Sequence, residues 1–164
     1  ANETVGVWRH IVEADGPTAL LLTRQDVPVL SGTDDHRAVA RGGYALAEPD
    51  SDPDVILIGT GSEVAVALDA AATLTAAGHS VRVVSMPCIE LFTAQDDAYQ
   101  TAVLPPGVPT VSVEAGVTFG WERWADRSVG IDRFGASAPG ERVMAELGIT
   151  ATAVVDAAES LLTT

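Results

Sequence analysis

The sequence predicts an α/β fold organised around a parallel β-sheet. Its central stretch, Asp54 to Pro87, reads VILIGT, then GSEVAVALDAAATLTAAGH, then SVRVVSMP. The residues from Val55 to Ile58 do not alternate apolar with polar side chains, which is typical of a strand buried on both faces of a parallel sheet. The middle piece has the length of a globular helix. A strand, a helix and a strand joined by short turns form a right-handed βαβ unit in nearly all known cases.

Length and composition indicate one domain, or one domain with a piece of another. Of the 164 residues 47% are hydrophobic, and no apolar run approaches the roughly 18 residues that a membrane span needs. The formal net charge is −14, and all nine basic residues are arginine. This balance repels nucleic acids and anionic membranes, so we expect neither as a partner. The single cysteine, Cys88, and the absence of an apolar signal segment in ANETVGVWRH favour a cytoplasmic location.

The first thirty residues predict a helix followed by a strand. Asn2 is the predicted N-cap, Glu3 lies in the first turn, and apolar residues recur at helical spacing (Val5, Trp8, Ile11 and Val12). The segment Thr18–Thr23, TALLLT, reads as a strand with leucines on both faces. No other upstream strand can pair with it. Either this strand joins the downstream sheet, or residues 1–30 are the end of a preceding domain.

Residues Pro28–Arg41 are predicted to form a polar loop. Asp34, Asp35 and His36 raise the alternative of a metal site, but adjacent residues rarely converge on one ion, and no His or Cys cluster supports it. The next segment, Gly42–Glu48, alternates enough for an edge strand.

The turn Gly59-Thr60-Gly61-Ser62 opens the central helix. Free N–H groups at such a turn can bind a phosphate, but the third glycine of the dinucleotide fingerprint is absent. A structural turn with Ser62 as the N-cap is the favoured interpretation, and a phosphate cradle is the alternative. Gly78 is predicted to end the helix as a left-handed cap.

The second half of the chain predicts further short elements. They are a helix at Thr93–Val103, a strand at Thr110–Glu114, a helix at Phe119–Ala125 and a strand at Ser128–Ile131, then a helix from Pro139 to Gly148 and a last helix capped by Thr150. Trp121 and Trp124 are predicted to pack in the core or at an interface, because no basic surface surrounds them. Cys88 follows a strand, where a nucleophile is possible in principle, but it has no evident base, and buried inert thiols are commoner.

Several motifs, read together, resemble the C-terminal part of transketolase over essentially the whole chain. They are DGPTALLLTRQDVP, GGYALAE, VILIGTGSEV, VRVVSMPCIELFTAQD, VSVEAG, FGWERW and GIDRFGASAPGERVMAELGIT. The most specific are TRQDVP and FGASAPGE. The resemblance implies a three-layer α/β/α fold with a mixed, mainly parallel five-stranded sheet, in which Gly42–Glu48 is the antiparallel strand. It also implies that residues 1–30 end a pyrimidine-binding domain, 31–40 form a linker, and 41–164 form the transketolase C-terminal domain.

The same resemblance implies an activity for the whole enzyme. Transketolase, an enzyme of the pentose phosphate pathway, moves a two-carbon ketol unit from a ketose phosphate to an aldose phosphate. It is dimeric and uses thiamine diphosphate with a divalent metal, Mg²⁺ or Ca²⁺, bound by domains whose motifs this sequence lacks. We therefore expect no catalytic, cofactor-binding or metal-binding residue here, and an inactive chain on its own.

One functional position carries over from the family. Arg24, in TRQDVP, matches the arginine that binds the phosphate of the sugar phosphate substrate. The guanidinium group suits that role, because it is always charged and meets phosphate oxygens in pairs. The alternative is a surface arginine at the end of a strand.

Two other readings of the chain are open. It could be the same domain from a related family, such as the 1-deoxyxylulose-5-phosphate synthases or the pyruvate dehydrogenase β subunits, although TRQDVP favours transketolase. It could also be a separately encoded docking subunit of a thiamine diphosphate enzyme.

Overall fold

Five strands form one mixed sheet in the computed structural model, which describes residues 1–163. The strands are β1 (Tyr44–Ala47), β2 (Val55–Gly59), β3 (Val81–Ser85), β4 (Thr110–Val113) and β5 (Arg127–Val129). They lie side by side in the order β1-β3-β2-β4-β5. β1 pairs antiparallel with β3, and the other neighbouring pairs are parallel. The predicted α/β fold with a mixed, mainly parallel five-stranded sheet is confirmed.

The helices of residues 1–163 cover both faces of this sheet. They are α1 (Asn2–Glu13), α2 (His36–Val39), α3 (Glu63–Ala76), α4 (Ile89–Thr93), α5 (Asp97–Val103), α6 (Gly140–Glu146) and α7 (Ala151–Leu162), with one 3-10 turn at Trp121–Arg123. None of them combines the length and apolar character that a membrane span requires.

Two separate hydrophobic cores make the fold three-layered. One core lies between the sheet and the helices α3 and α7, and the other lies under α4, α5 and the 3-10 turn. Strand β2 contributes to both: Val55 and Leu57 belong to the first core, and Ile56 and Ile58 to the second. All four side chains are 0% exposed. Burial on both faces is why this strand shows no alternation in sequence.

The βαβ unit predicted at the centre of the chain is formed by β2, α3 and β3. Gly59 allows the helix to approach the strand closely, since an added Cβ would lie 2.7 Å from Val64 Cα. At the other end, Gly78 has φ +100°. His79 N donates to Leu74 O at 3.1 Å and Gly78 N to Thr75 O at 3.0 Å. These two bonds form a Schellman motif and confirm the predicted left-handed cap.

The predicted strand at Thr18–Thr23 does not form. Residues 14–35 contain neither helix nor strand. Leu21 is 86% exposed and Leu22 is 61% exposed. An extended segment becomes a strand only where a neighbour satisfies its backbone groups, and here it has none. The alternative in which this segment joins the downstream sheet is therefore wrong.

Two further predictions are corrected by local side-chain hydrogen bonds. Pro28–Arg41 is not all loop, because the Asp35 side chain accepts from Arg37 N at 2.9 Å and starts α2. The helix predicted at Thr93–Val103 is divided, because Asp96 accepts from Tyr99 N at 2.8 Å and starts α5 separately.

The later predicted elements are present with shifted bounds. The segment that contains both tryptophans forms only the short 3-10 turn, entered through Gly120 at φ +98°. The last two helices follow the prediction more closely: α6 begins after Pro139, and Thr150 caps α7 by accepting from Ala153 N at 3.2 Å.

Candidate functional site

Arg24, the predicted phosphate-binding residue, is exposed in the segment 14–35. The chain bends there, with Thr23 Oγ1 accepting a hydrogen bond from Gln25 N at 3.2 Å. Across residues 1–163 the one salt bridge joins Arg82 to Glu48, at 2.8 Å. The guanidinium of Arg24 therefore has no carboxylate partner in the described chain, and its N–H donors are open to an external anion.

Gln25 holds this segment against the rest of the molecule. A Cβ added to Gly140 would lie 2.9 Å from Gln25 Cδ, so the Gln25 side chain packs on the first residue of α6. Arg24, the residue before Gln25, therefore lies close to the start of α6.

The helix α1 is fixed at the carboxyl edge of the sheet by Glu3. Its Oε1 accepts from the Tyr44 hydroxyl at 2.7 Å and from Ser85 Oγ at 2.5 Å. Ser85 is the last residue of β3 and is 0% exposed, and Tyr44 is 5% exposed. One carboxylate on α1 therefore satisfies two buried hydroxyl groups of the sheet.

A close helix contact reinforces this docking. Gly6 of α1 is buried, and a Cβ added there would lie 3.1 Å from Val39 Cβ and 3.2 Å from His36 Nδ1, both on α2. Asn2 is not the N-cap that the sequence predicts. Ala1 holds that position, and Asn2 Nδ2 donates to Thr33 Oγ1 at 3.2 Å instead.

The segment Asp34-Asp35-His36 gives no support to the alternative of a metal site. Asp35 uses its carboxylate to cap α2, and His36 packs between α1 and α2. In the part of the chain that the structure describes, no three His, Cys, Asp or Glu side chains are grouped so that they could hold a metal ion.

The turn at Gly59–Ser62 is followed by a buried carboxylate. Glu63 is 5% exposed, and its side chain accepts from Ala115 N at 3.2 Å and from Ser62 Oγ at 2.6 Å. Ser62 holds the predicted N-cap position of α3, but it makes no side-chain capping bond, because its hydroxyl donates to Glu63. A buried negative charge in the first turn of α3 disfavours a second anion there, which favours the structural turn over the phosphate cradle.

A second carboxylate, Glu114, lies directly after β4. It accepts from Trp121 Nε1 at 2.8 Å and from Thr60 Oγ1 at 3.5 Å. Trp121 is 3% exposed, and Trp124 packs edge-on against Phe92 with ring centroids 5.1 Å apart. The two tryptophans are packing residues, as predicted.

Cys88 lies at the start of α4 and is half-buried. Its Sγ donates to Glu90 Oε2 at 3.4 Å, and burial raises the pKa of the thiol. A raised pKa lowers the thiolate fraction at neutral pH, which favours the inert thiol over a nucleophile.

Sequence reasoning missed the carboxylates that organise the carboxyl edge. Glu63 and Glu114 each follow a central strand, so the rule that parallel strands end at one edge could have placed them together. For Glu3 the sequence carried no signal beyond an acidic residue in a first helical turn. Its partners, Tyr44 and Ser85, are remote in sequence.

The sheet order and the two helical layers define this molecule as a three-layer α/β/α domain preceded by a docked helix and an extended segment. Residues 42–150 match the family model described as the transketolase-like TK C-terminal domain. The chain belongs to the transketolase family.

Curated relatives and solved structures agree with that family. Transketolase 7 of Craterostigma plantagineum is 50% identical over 169 residues, which is 98% of this chain and 25% of the relative. The structure of transketolase from Leishmania mexicana superposes with a TM-score of 0.94 at 44% identity, covering 99% of this chain and 24% of that one. The chain thus spans about a quarter of the length of these relatives, and it matches their C-terminal quarter.

Two other similar structures carry information on ligands and assembly. Transketolase from Pichia stipitis, solved in complex with sedoheptulose 7-phosphate, has a TM-score of 0.92 at 36% identity, over 99% of this chain and 24% of that one. A split-gene transketolase, described as an inactive β4 tetramer, has a TM-score of 0.80 at 25% identity, over 98% of this chain and 55% of that one.

Proposed function

We propose that the chain is the C-terminal part of a transketolase in which Arg24 binds the phosphate group of the sugar phosphate substrate. The observation that carries this proposal is the exposed guanidinium of Arg24, which has no carboxylate partner in residues 1–163 and stands in the motif TRQDVP. The sugar phosphate bound to the Pichia stipitis relative supports the choice of ligand.

In the complete enzyme this chain would position the substrate and not carry the reaction centre. Thiamine diphosphate, when bound, supplies the electron sink for transfer of the ketol unit. The described residues do not fit that cofactor and its metal. They form no metal-binding cluster, and a buried carboxylate, that of Glu63, lies in the first turn of α3. The cofactor would be held by the rest of the chain and a second subunit, and this part alone would be inactive. Location in the cytoplasm stays a prediction.

The proposed division of the chain is residues 1–30 as the end of the pyrimidine-binding domain, 31–40 as a linker, and 41–164 as the C-terminal domain. Its support is that both hydrophobic cores draw their residues from beyond position 41. Residues 1–30 contact the sheet through the polar bonds of Glu3, and Gly6 contacts the short helix α2.

A separately encoded docking subunit is the second candidate. The split-gene relative favours this candidate. This chain covers 55% of that relative, which is described as an inactive tetramer. Under either candidate the chain needs a partner polypeptide for activity, and the role of Arg24 is the same.

The variant Arg24→Ala in the complete enzyme tests the proposal. The phosphate lies at the far end of the substrate from the reacting carbons, so its charge contact is equal in ground and transition states. Loss of such uniform binding raises KM more than it lowers kcat. A charge-assisted contact is worth roughly 1.5–3 kcal/mol, so we expect KM for a phosphorylated donor to rise about ten- to a hundredfold.

Three controls make this experiment specific. A donor without phosphate should be almost unaffected by Arg24→Ala. Arg24→Lys should recover only part of the affinity, because an ammonium group cannot make the paired contact. Arg127→Ala, at another exposed arginine but at the opposite, amino edge of the sheet, should leave KM unchanged. An equal loss with phosphorylated and unphosphorylated donors would contradict the assignment.

A further inference from the structure

We propose that the loops after β4 and β5 form a docking surface for the part of transketolase that precedes this chain. The two loops, residues 116–120 and 130–137, are called the carboxyl-edge loops. The inference rests on the proposed function, since it takes the chain to be the C-terminal part of a larger enzyme.

The carboxyl-edge loops are held together as one unit. Asp132 accepts from Thr118 N and from Thr118 Oγ1, both at 2.8 Å. Ile131 N donates to Gly116 O at 2.7 Å. Gly130 packs closely against Thr118, since a Cβ added to Gly130 would lie 2.7 Å from Thr118 Cγ2. These contacts join residues 116–118 of one loop to residues 130–132 of the other.

The carboxyl-edge loops present apolar side chains to solvent. Val117 is 60% exposed, Phe119 is 87% exposed and Phe134 is 96% exposed. Single exposed apolar residues are normal on a protein surface. Here, however, three of them belong to two hydrogen-bonded loops at one edge of the sheet. Burying exposed phenylalanine side chains is favourable, so a partner that covers both rings would be stabilised by the contact.

The position of residues 1–25 indicates which partner covers this surface. Glu3 contacts Ser85 at the carboxyl end of β3, and Gln25 packs on Gly140, three residues after the second loop. The chain therefore enters the domain along the same edge that carries the exposed rings. This chain matches the C-terminal quarter of its relatives. In those relatives the matched quarter is preceded by about three times as many residues as this chain has. In the proposed complete enzyme, the part that precedes this chain would therefore approach this edge.

Thiol labelling at single cysteines measures the contact directly. In a Cys88→Ser background, Phe119→Cys and Phe134→Cys are labelled with a maleimide in the 164-residue chain and in the complete enzyme. Both positions are exposed, so neither change should disturb folding. We expect labelling at least about tenfold slower in the complete enzyme, because access then requires transient opening of the contact. Ala72→Cys, exposed on α3, should label at the same rate in both.

Two results would overturn the inference. One is equal labelling of positions 119 and 134 in the chain and in the complete enzyme. The other is protection in the isolated chain that disappears on dilution, with no further protection in the complete enzyme, which would assign the surface to a second copy of the chain. Labelling does not depend on catalysis, so failure of the Arg24 experiment would leave this result readable by itself.

Discussion

At the scale of single residues, Glu3 connects the first helix to the sheet. Its carboxylate accepts hydrogen bonds from two buried hydroxyl groups, those of Tyr44 and Ser85. A buried hydroxyl left without a partner costs about 1–3 kcal/mol, so this contact favours the docked position of α1. Glu3 also helps to raise the pKa of one of these partners, Tyr44.

The alkaline stability of the chain should depend on Tyr44. Burial, and then the charge and hydrogen bond of Glu3, raise the pKa of the Tyr44 hydroxyl strongly. The unfolded phenol ionises near pH 10, so the folded state binds the extra proton above that pH. The stability from the neutral phenol is therefore complete below about pH 10 and is lost as the pH rises beyond it.

Unfolding in denaturant between about pH 8 and pH 11.5 measures this dependence, on either side of the usual tyrosine pKa. Tyr44→Phe should show a shallower loss of unfolding free energy on the alkaline side than the wild type. Glu3→Gln keeps an acceptor without the charge and should give an intermediate slope. Equal alkaline slopes for the wild type and Tyr44→Phe would contradict the assignment.

Gly42 should be the least replaceable glycine at the start of the domain. It has φ +83°, and an added Cβ would lie 2.3 Å from Cys88 O and 2.4 Å from Phe92 N. We expect Gly42→Ala to lower the free energy of unfolding by about 2–4 kcal/mol, since backbone strain and overpacking act together. Gly78→Ala is the matched control: it has φ +100° but nothing within 4 Å, so strain alone should cost about 1–2 kcal/mol. A Gly42 loss no larger than the Gly78 loss would contradict the packing argument.

At the scale of elements, the sequence predicted the parts whose neighbours are local. The βαβ unit of β2, α3 and β3 follows from apolar runs and from glycines at its two turns, all within a short stretch. The segment Thr18–Thr23 has an equally strong strand pattern, yet it is not a strand here, because pairing requires a neighbour that sequence pattern alone does not supply. The short helices were predicted poorly, since single side-chain caps such as Asp35 and Asp96 decide where they begin.

The N-terminal segment should promote self-association of the isolated chain. Its exposed apolar side chains include Trp8, 54% exposed, and Leu21, 86% exposed. The extended backbone around Leu21 also carries unpaired hydrogen-bonding groups that can pair with another copy. Deleting residues 1–30 should reduce association and leave a cooperatively folding domain, because neither hydrophobic core uses these residues.

Sedimentation and denaturant unfolding test both halves of this prediction. The double variant Leu21→Ser with Leu22→Ser should reduce association with little change in unfolding free energy, because both side chains are exposed. An unfolded deletion variant would show that the proposed boundary near residue 30 is wrong.

At the scale of the whole molecule, the proposed substrate site would include residues beyond this chain. Arg24 was predicted from the motif TRQDVP and not from its physical setting, since an exposed arginine after an apolar run is common. The structure adds that its guanidinium has no internal carboxylate partner in residues 1–163. The rest of the substrate site cannot be predicted from these residues, because the relatives carry about three-quarters of their length outside the matched part.

The isolated chain should bind no thiamine diphosphate and show no ketol transfer. A diphosphate needs concentrated positive charge or a metal, whereas this chain has a net charge of −14 and no lysine. Its described residues form no metal-binding cluster, and Glu63 occupies the first turn of the central helix with a buried carboxylate.

Calorimetric titration with the cofactor and Mg²⁺ should therefore give no binding heat, while the complete enzyme under the same conditions should bind. Adding the preceding part of the enzyme as a separate polypeptide should restore activity, and Arg24→Ala should weaken that restored activity only toward phosphorylated donors. Micromolar cofactor binding by the isolated chain would show that a binding site lies within it and would contradict the proposed division of labour.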